Sequence, residues 1–309
     1  MRKPNLFIVG KQKAGTTALH QFLSKHPDIF MSEPKEPMFF CTDMHKESDV
    51  WYKKANHFPY RTESQFMSLF SSWKDQKVAG ESTTQYLDSK DAAENIHRFN
   101  PDAKIVIMLR EPVDYLYSLH GQYLYEMEED IDDFKMALEA EDDRRQGKRV
   151  PPRIKCPSWL WYSETVKYAE QIKRYIDVFP RENVKIILFD DFQKDNKQVY
   201  LDVVRFLDVD DSFIPEFEKV NAHRTVRFRS LKRFVDHPMV WGLPKKLLPT
   251  KVYESIKGGI YGLIVKKQKR VPLDPQFKAE LMRGFKPEVE KLSSLLGMDL
   301  ITRWAYDKL

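Results

Sequence analysis

The chain has 309 residues, 42% of them hydrophobic and 31% charged, enough to bury one large core or two modest ones and too apolar for disorder or collagen-like repeats. Fifty-one Lys and Arg against 46 Asp and Glu leave a net charge of +5, a bias that selects neither an anionic small ligand nor nucleic acid. Two cysteines, Cys41 and Cys156, exclude a disulfide scaffold and any Cys-rich zinc module.

In chain order, Met-Arg-Lys-Pro leads into the apolar run Leu6-Phe7-Ile8-Val9, too short for a signal peptide and suited to a strand buried on both faces. Gly10 ends that strand. Gly15-Thr16-Thr17 then opens a helix with apolar Ala18, Leu19, Phe22 and Leu23, closed by His26-Pro27. A weaker strand is expected at Lys77-Val78-Ala79-Gly80 and a second buried strand at 104–109, followed by Arg110-Glu111-Pro112 and a helix from Val113 to about Tyr125. Residues 126–157 combine the acidic stretch Glu126 to Asp133 with Arg144-Arg145-Gln146-Gly147-Lys148-Arg149 and Pro151-Pro152. This reads as a surface excursion, either a lid over a substrate or a plain solvated face. A third buried strand at 184–189 lies between helices at about 160–179 and 196–207, and 221–271 reads as irregular. A final amphipathic helix, 275–296, carries Leu281, Phe285, Val289, Leu292 and Leu296 on one side.

Strands alternating with helices predict a doubly wound, mostly parallel sheet with helices on both faces. The expected organisation is a single domain over 1–309, with 126–157 and 238–272 as substrate or lid insertions. No apolar run approaches the ~20 residues that cross a bilayer. The sequence therefore predicts a cytoplasmic protein with no membrane span.

The segment Gly10-Lys11-Gln12-Lys13-Ala14-Gly15-Thr16-Thr17 falls between a strand and a helix. There, convergent backbone N–H groups and the helix dipole favour a phosphate. Lys13 adds a full charge, and Thr16 and Thr17 add hydroxyl donors. The G-x4-G spacing matches a Walker A loop, but Thr16 follows the second glycine where such a loop has lysine. This argues against ATP hydrolysis.

Val9 to Leu19 resembles the 5′-phosphosulfate loop of sulfotransferases that use 3′-phosphoadenosine 5′-phosphosulfate (PAPS), most closely the glycosaminoglycan sulfotransferases and their bacterial relatives. Leu109-Arg110-Glu111-Pro112 through Ser118 resembles the family's 3′-phosphate motif, with Tyr115 where a second arginine is often seen. Lys35 to Phe40 and Gly80 to Leu87 are similar to its two acidic segments. Val220 to Arg229 is similar to its late basic loop, and Leu295 to Trp304 to the ending of bacterial members. The resemblance implies a P-loop kinase-like fold, PAPS as donor and PAP as product, with no metal. It assigns the donor to Lys11, Gln12, Lys13, Ala14, Gly15, Thr16, Thr17, Arg110, Ser118, Arg227 and Arg229.

Sulfuryl transfer, like phosphoryl transfer, asks a protein chiefly to position reactants and neutralise developing charge. Lys13 suits the leaving phosphate. A hydroxyl acceptor also needs a base, for which Glu36 and Glu81 compete, and Glu81 has the second role of orienting Lys13. The base favours a hydroxyl acceptor over an amine, on a carbohydrate or other small metabolite and not on nucleic acid. The eight histidines show no ligand spacing for a metal. Trp159 and Trp161 suit either a core or a stacking surface. Two other readings stand: a nucleotide-dependent kinase, with Asp190-Asp191 as its only metal-binding candidate, and a non-catalytic polyanion-binding protein using the basic C-terminal third.

Overall fold

The computed structural model describes residues 2–55, 57–217 and 271–309, together with the backbone of two short strands at 224–226 and 265–267. Strands β1 (Leu6–Gly10), β2 (Ile29–Met31), β3 (Val78–Ser82), β4 (Lys104–Leu109) and β5 (Val184–Leu188) form a parallel sheet in the order β2-β3-β1-β4-β5. Along β1, Phe7 and Val9 enter one apolar cluster and Leu6 and Ile8 the other; along β4, Ile105 and Ile107 oppose Val106 and Met108. Both faces are thus buried, which is why these strands read as unbroken apolar runs.

Helix α1 (Thr16–Ser24) covers one face, together with α10 (Phe189–Lys194) and α11 (Asn196–Phe206), through Leu19, Phe22, Phe192 and Val203. The other face is covered by α4 (Ala92–Phe99), α5 (Pro112–Glu126), α9 (Tyr168–Ile176) and α12 (Pro275–Leu296), through Ile96, Leu116, Ile172 and Leu292. Between these lie α2 (Thr42–Tyr52), α3 (Glu63–Ser68), α6 (Phe134–Glu139), α7 (Glu141–Arg145) and α8 (Tyr162–Thr165), and α13 (Leu300–Arg303) follows α12. The connection after β1 leads toward β2 and β3, whereas that after β4 leads toward β5. Such a reversal opens a crevice at the carboxyl ends of the two strands, where doubly wound sheets bind ligands.

Two glycines shape the turn after β1. A Cβ on Gly10 would lie 2.6 Å from Leu87 Cβ, and one on Gly15, at φ +94°, would lie 2.9 Å from the Phe192 ring. Gly15→Ala is therefore expected to destabilise the protein by roughly 1–2 kcal/mol or more, read as a lower midpoint in urea unfolding; an unchanged midpoint would refute the packing described here.

The strands at β1, β4 and β5 and the helix 275–296 fall where expected. The single helix expected at about 160–179 is instead two, α8 and α9. Part of 126–157 packs inward. Glu129 and Arg144 are wholly buried, joined by two hydrogen bonds of 2.6 and 2.8 Å, and Tyr162 donates to the same carboxylate at 2.8 Å. An ion pair satisfied on both sides lets these two charged residues sit in the core, while 145–149 stay exposed. In the basic C-terminal third, Arg224–Val226 and Val265–Lys267 pair antiparallel as β6 and β7. Arg227, Arg229 and most of 238–272 lie outside the described residues.

Candidate active site

The crevice between β1 and β4 gathers most of the residues singled out in the sequence. Thr16 is buried in the first turn of α1, with Thr17 beside it, where the first helical N–H groups have no intrahelical partners. Ala14 faces the core, so only its backbone can serve a ligand. Lys13, at φ 60°, donates from Nζ to Gln122 Oε1 at 2.9 Å. Arg110, half-buried at the end of β4, donates to the Lys13 carbonyl at 3.2 Å and lies 4.8 Å over the Phe189 ring. Ser118 lies two turns into α5, the helix against which β6 packs. Glu111 caps α5, accepting from Val113 N at 3.0 Å and Asp114 N at 2.7 Å, with Pro112 in its first turn.

Lys11 is a correction. Its side chain is wholly buried beneath the loop, hydrogen-bonded to Asp88 and 5.6 Å from the rings of both Tyr115 and Tyr168. Its charge is neutralised in the core and does not face the crevice. Desolvation lowers its pKa and Asp88 opposes that shift.

The two competing carboxylates occupy different environments. Glu36, held at φ 59° with its N–H on Ser82 O at 3.0 Å, is open to solvent on the crevice side while protein surrounds it elsewhere. Desolvation by those walls raises its carboxyl above the usual range, Lys35 pulls it back and Glu126 pushes it further. Thr84 Oγ1 donates to it at 3.4 Å. Phe40, four residues on, lies in the core against Phe7 and Phe66. Glu81 on β3 is 0% exposed and accepts from Thr83 Oγ1 at 2.9 Å. Burial lifts its carboxyl to about 8. Glu81 thus has no exposed surface, whereas Glu36 does.

Because the folded state holds the Glu81 proton more tightly than the unfolded chain, its contribution to stability is full below the unfolded value of ~4.3 and is lost as pH rises through about 8. The wild type is therefore expected to lose more thermal stability than Glu81→Gln between pH 5.5 and 8.5. Parallel melting curves for the two proteins would contradict a buried, proton-binding Glu81.

Three contributors were not singled out by the sequence. Lys35 Nζ donates to Thr17 Oγ1 at 3.1 Å, and burial lowers its pKa against the opposing pull of Glu36, Glu33 and Glu81. Gln122 accepts from Lys13 and donates to Glu126 at 2.6 Å. Thr84 bridges Glu36 and Gln85, the latter at 3.0 Å. Hydrogen bonds thus link Lys13 to Gln122 and Glu126, and Lys35 to Thr17, while the charges of Lys35 and Glu126 both act on Glu36. Lys35 is adjacent to Glu36 in sequence, the one signal that could have found it; Gln122 and Thr84 have none. His20, bonded to Ser82 Oγ at 2.9 Å, is pushed down to about 3 by burial and Lys35 and stays neutral.

Asp190, the kinase reading's candidate, accepts from Trp304 Nε1 at 2.8 Å, and Asp191 pairs with Arg303. Both aspartates thus anchor the C-terminal segment.

A parallel α/β sheet with a cationic, glycine-bounded loop at its switch point is an architecture shared by nucleotide-binding group-transfer enzymes. The chain belongs to the sulfotransferase family, whose model matches residues 4–213. It is 26% identical over 315 residues to the mouse bifunctional heparan sulfate N-deacetylase/N-sulfotransferase 1, across 97% of this chain and 31% of that protein. It is 32% identical over 123 residues to human heparan sulfate glucosamine 3-O-sulfotransferase 6, across 40% of this chain and 31% of that one. The chain spans less than a third of the first relative's length, and its match to the second covers less than a third of that one. Among solved structures it is similar to a sulfotransferase from Alicyclobacillus acidocaldarius, at TM-score 0.70 and 28% identity, over 98% of this chain and 99% of that one. Membership of this family sets the kinase and polyanion-binder readings aside; the protein is a transferase. Among the described residues no helix is long and apolar enough to cross a membrane.

Proposed function

We propose that the protein transfers a sulfuryl group in line from PAPS to a hydroxyl of a carbohydrate or other small acceptor. The observation that carries this reading is the convergence of Lys13, Lys35, Thr17 and Arg110 on one crevice that Glu36 faces. These donors fit a phosphosulfate: they are cations and hydroxyls, set beside the helix opening of α1. The donor, when bound, supplies an activated sulfuryl group on a phosphate leaving group.

Glu36 takes the proton from the acceptor hydroxyl as that oxygen bonds to sulfur. Lys13 and the N–H groups opening α1 neutralise the 5′-phosphate oxygen as its bond to sulfur breaks, leaving PAP. Lys35 is placed, through Thr17, to share the charge on the transferring oxygens. Arg110 and Ser118 hold the 3′-phosphate, with Arg227 and Arg229 completing that site. Gln12, Ala14, Gly15 and Thr16 cradle the donor, largely through their backbone. Glu81 accepts from Thr83, while Lys13 is held by Gln122, so orienting Lys13 falls to Gln122. The whole chain serves as one sulfotransferase domain, and its two buried, unpaired cysteines suit the cytoplasm.

Sulfur-labelled PAPS incubated with the protein and a mixed panel of sugars and alcohols tests the reading. PAP release and labelled product are expected together. Release of neither, with correctly folded protein, would overturn it.

A further inference from the structure

Beside the loop lies a cavity of about 510 Å³, within the size range of small-molecule sites. Two residues tie it to the centre described above. Gln12, next to Lys13 in the loop, lines it; so does Gln85, which accepts from the same Thr84 hydroxyl that reaches Glu36. Its far wall is built by the segment 158–174, in which Trp159 and Gln171 are each more than nine-tenths buried.

Its polar chemistry is unfinished. Trp159 Nε1, Trp161 Nε1 and Arg174 Nε lack acceptors, and Gln12 Oε1 and Gln171 Oε1 lack donors. All five residues line this cavity. A buried polar atom left without a partner costs about 1–3 kcal/mol, so such a cluster marks a place where a ligand or local rearrangement completes the bonding. Donors and acceptors side by side suit hydroxyl groups, which act as both.

The charges narrow the ligand further. Five carboxylates line the cavity, on Asp43, Glu47, Asp88, Glu164 and Glu170, against four cations. Three of those cations are already paired: Arg145 with Glu141 and Glu164, Lys167 with Glu164 and Arg174 with Glu170. Toward Glu36 the charges are mixed: Lys35 and Lys155 pull its carboxyl down and Glu126 pushes it up, while Glu128, beside Lys155 and Arg153, is lifted to about 7, chiefly by burial. With Asp88 also paired to the buried Lys11, the wall carries no net positive charge, and a polyanionic chain needs a positive field to hold it.

We infer that this cavity holds the non-reacting end of the acceptor, and that the acceptor is a hydroxyl-rich molecule without negative charge. The inference rests on the sulfotransferase reading and adds the substrate class. It departs from the sulfated glycosaminoglycans named for the curated relatives.

Intrinsic tryptophan fluorescence, followed in the presence of saturating PAP, provides the test, with cellotetraose, a glucosamine tetramer and a heparosan tetrasaccharide as probes. PAP affinity, measured first, shows whether the donor site is intact, and its loss would indict the underlying reading instead. Cellotetraose or the glucosamine tetramer is expected to bind, with heparosan weaker than both at low and at physiological salt. Trp161→Ala is expected to weaken that binding roughly tenfold while leaving PAP affinity unchanged. Glu170→Lys, a substitution at an exposed residue on the cavity rim, is expected to narrow the preference against heparosan. Tighter binding of heparosan, no binding by either uncharged or amino probe at millimolar concentration, or a Trp161→Ala protein that binds them as wild type does would each overturn the inference.

Discussion

Lys13→Ala is expected to lower kcat by about 10²–10³, the usual effect of removing one preorganised donor from developing charge. The affinity for PAP should fall by a smaller factor, because the loop N–H groups, Thr16 and Thr17 still meet the phosphate. The split matters: a lysine that merely anchored the donor would lower the affinity and leave kcat unchanged. Lys13→Arg should recover little, since a planar, bulkier guanidinium cannot replace a compact ammonium that is half-buried and held by Gln122 at 2.9 Å. Steady-state kinetics together with PAP titration reads both quantities. A loss of PAP affinity with kcat unchanged would contradict the role assigned to Lys13.

Glu36→Gln is expected to lower kcat by about 10²–10⁴, the range of general-base catalysis. Because the base acts only when unprotonated, activity in the wild type should rise tenfold per pH unit below the Glu36 pKa and level off above it. Crevice walls and Glu126 raise that pKa, so the limb is expected above the ~4.3 of a free glutamate. Lys35 opposes the shift. Removing its charge in Lys35→Met should therefore move the limb to higher pH, while Glu36→Gln abolishes it. Glu81→Gln should keep the limb. A pH profile that survives in Glu36→Gln and vanishes in Glu81→Gln would reverse the assignment.

Much of the scaffold was legible because the strands that matter are buried on two sides. Leu6 to Val9 and Ile105 to Leu109 carry no polar interruption, and their following loops begin at a glycine and an arginine. The strand β3 was harder to read: it ends in Glu81 and Ser82, which look like a loop until Thr83 is seen to satisfy one carboxylate oxygen. β2 spans three residues, too few for any periodicity, and α2 carries so many polar residues that its helical period is faint.

The charges were the least legible. Lys11 and Lys13 stand two residues apart in one loop, yet one is buried on Asp88, 77 positions away, and the other faces the crevice. Nothing local distinguishes them. The same holds for Arg144 and Glu129, which read as solvated until the fold brings them together. Glu36 and Glu81 look equivalent in sequence and differ in the structure in exposure: Glu36 is exposed and Glu81 is wholly buried.

Calorimetric titration of PAP into the wild-type protein, with ATP and Mg²⁺ in a parallel cell, tests the central claim most directly. The account predicts micromolar binding of PAP, weakened in Lys13→Ala and in Ser118→Ala, and weak binding of ATP. Preference for ATP, or PAP affinity indifferent to both substitutions, would contradict it.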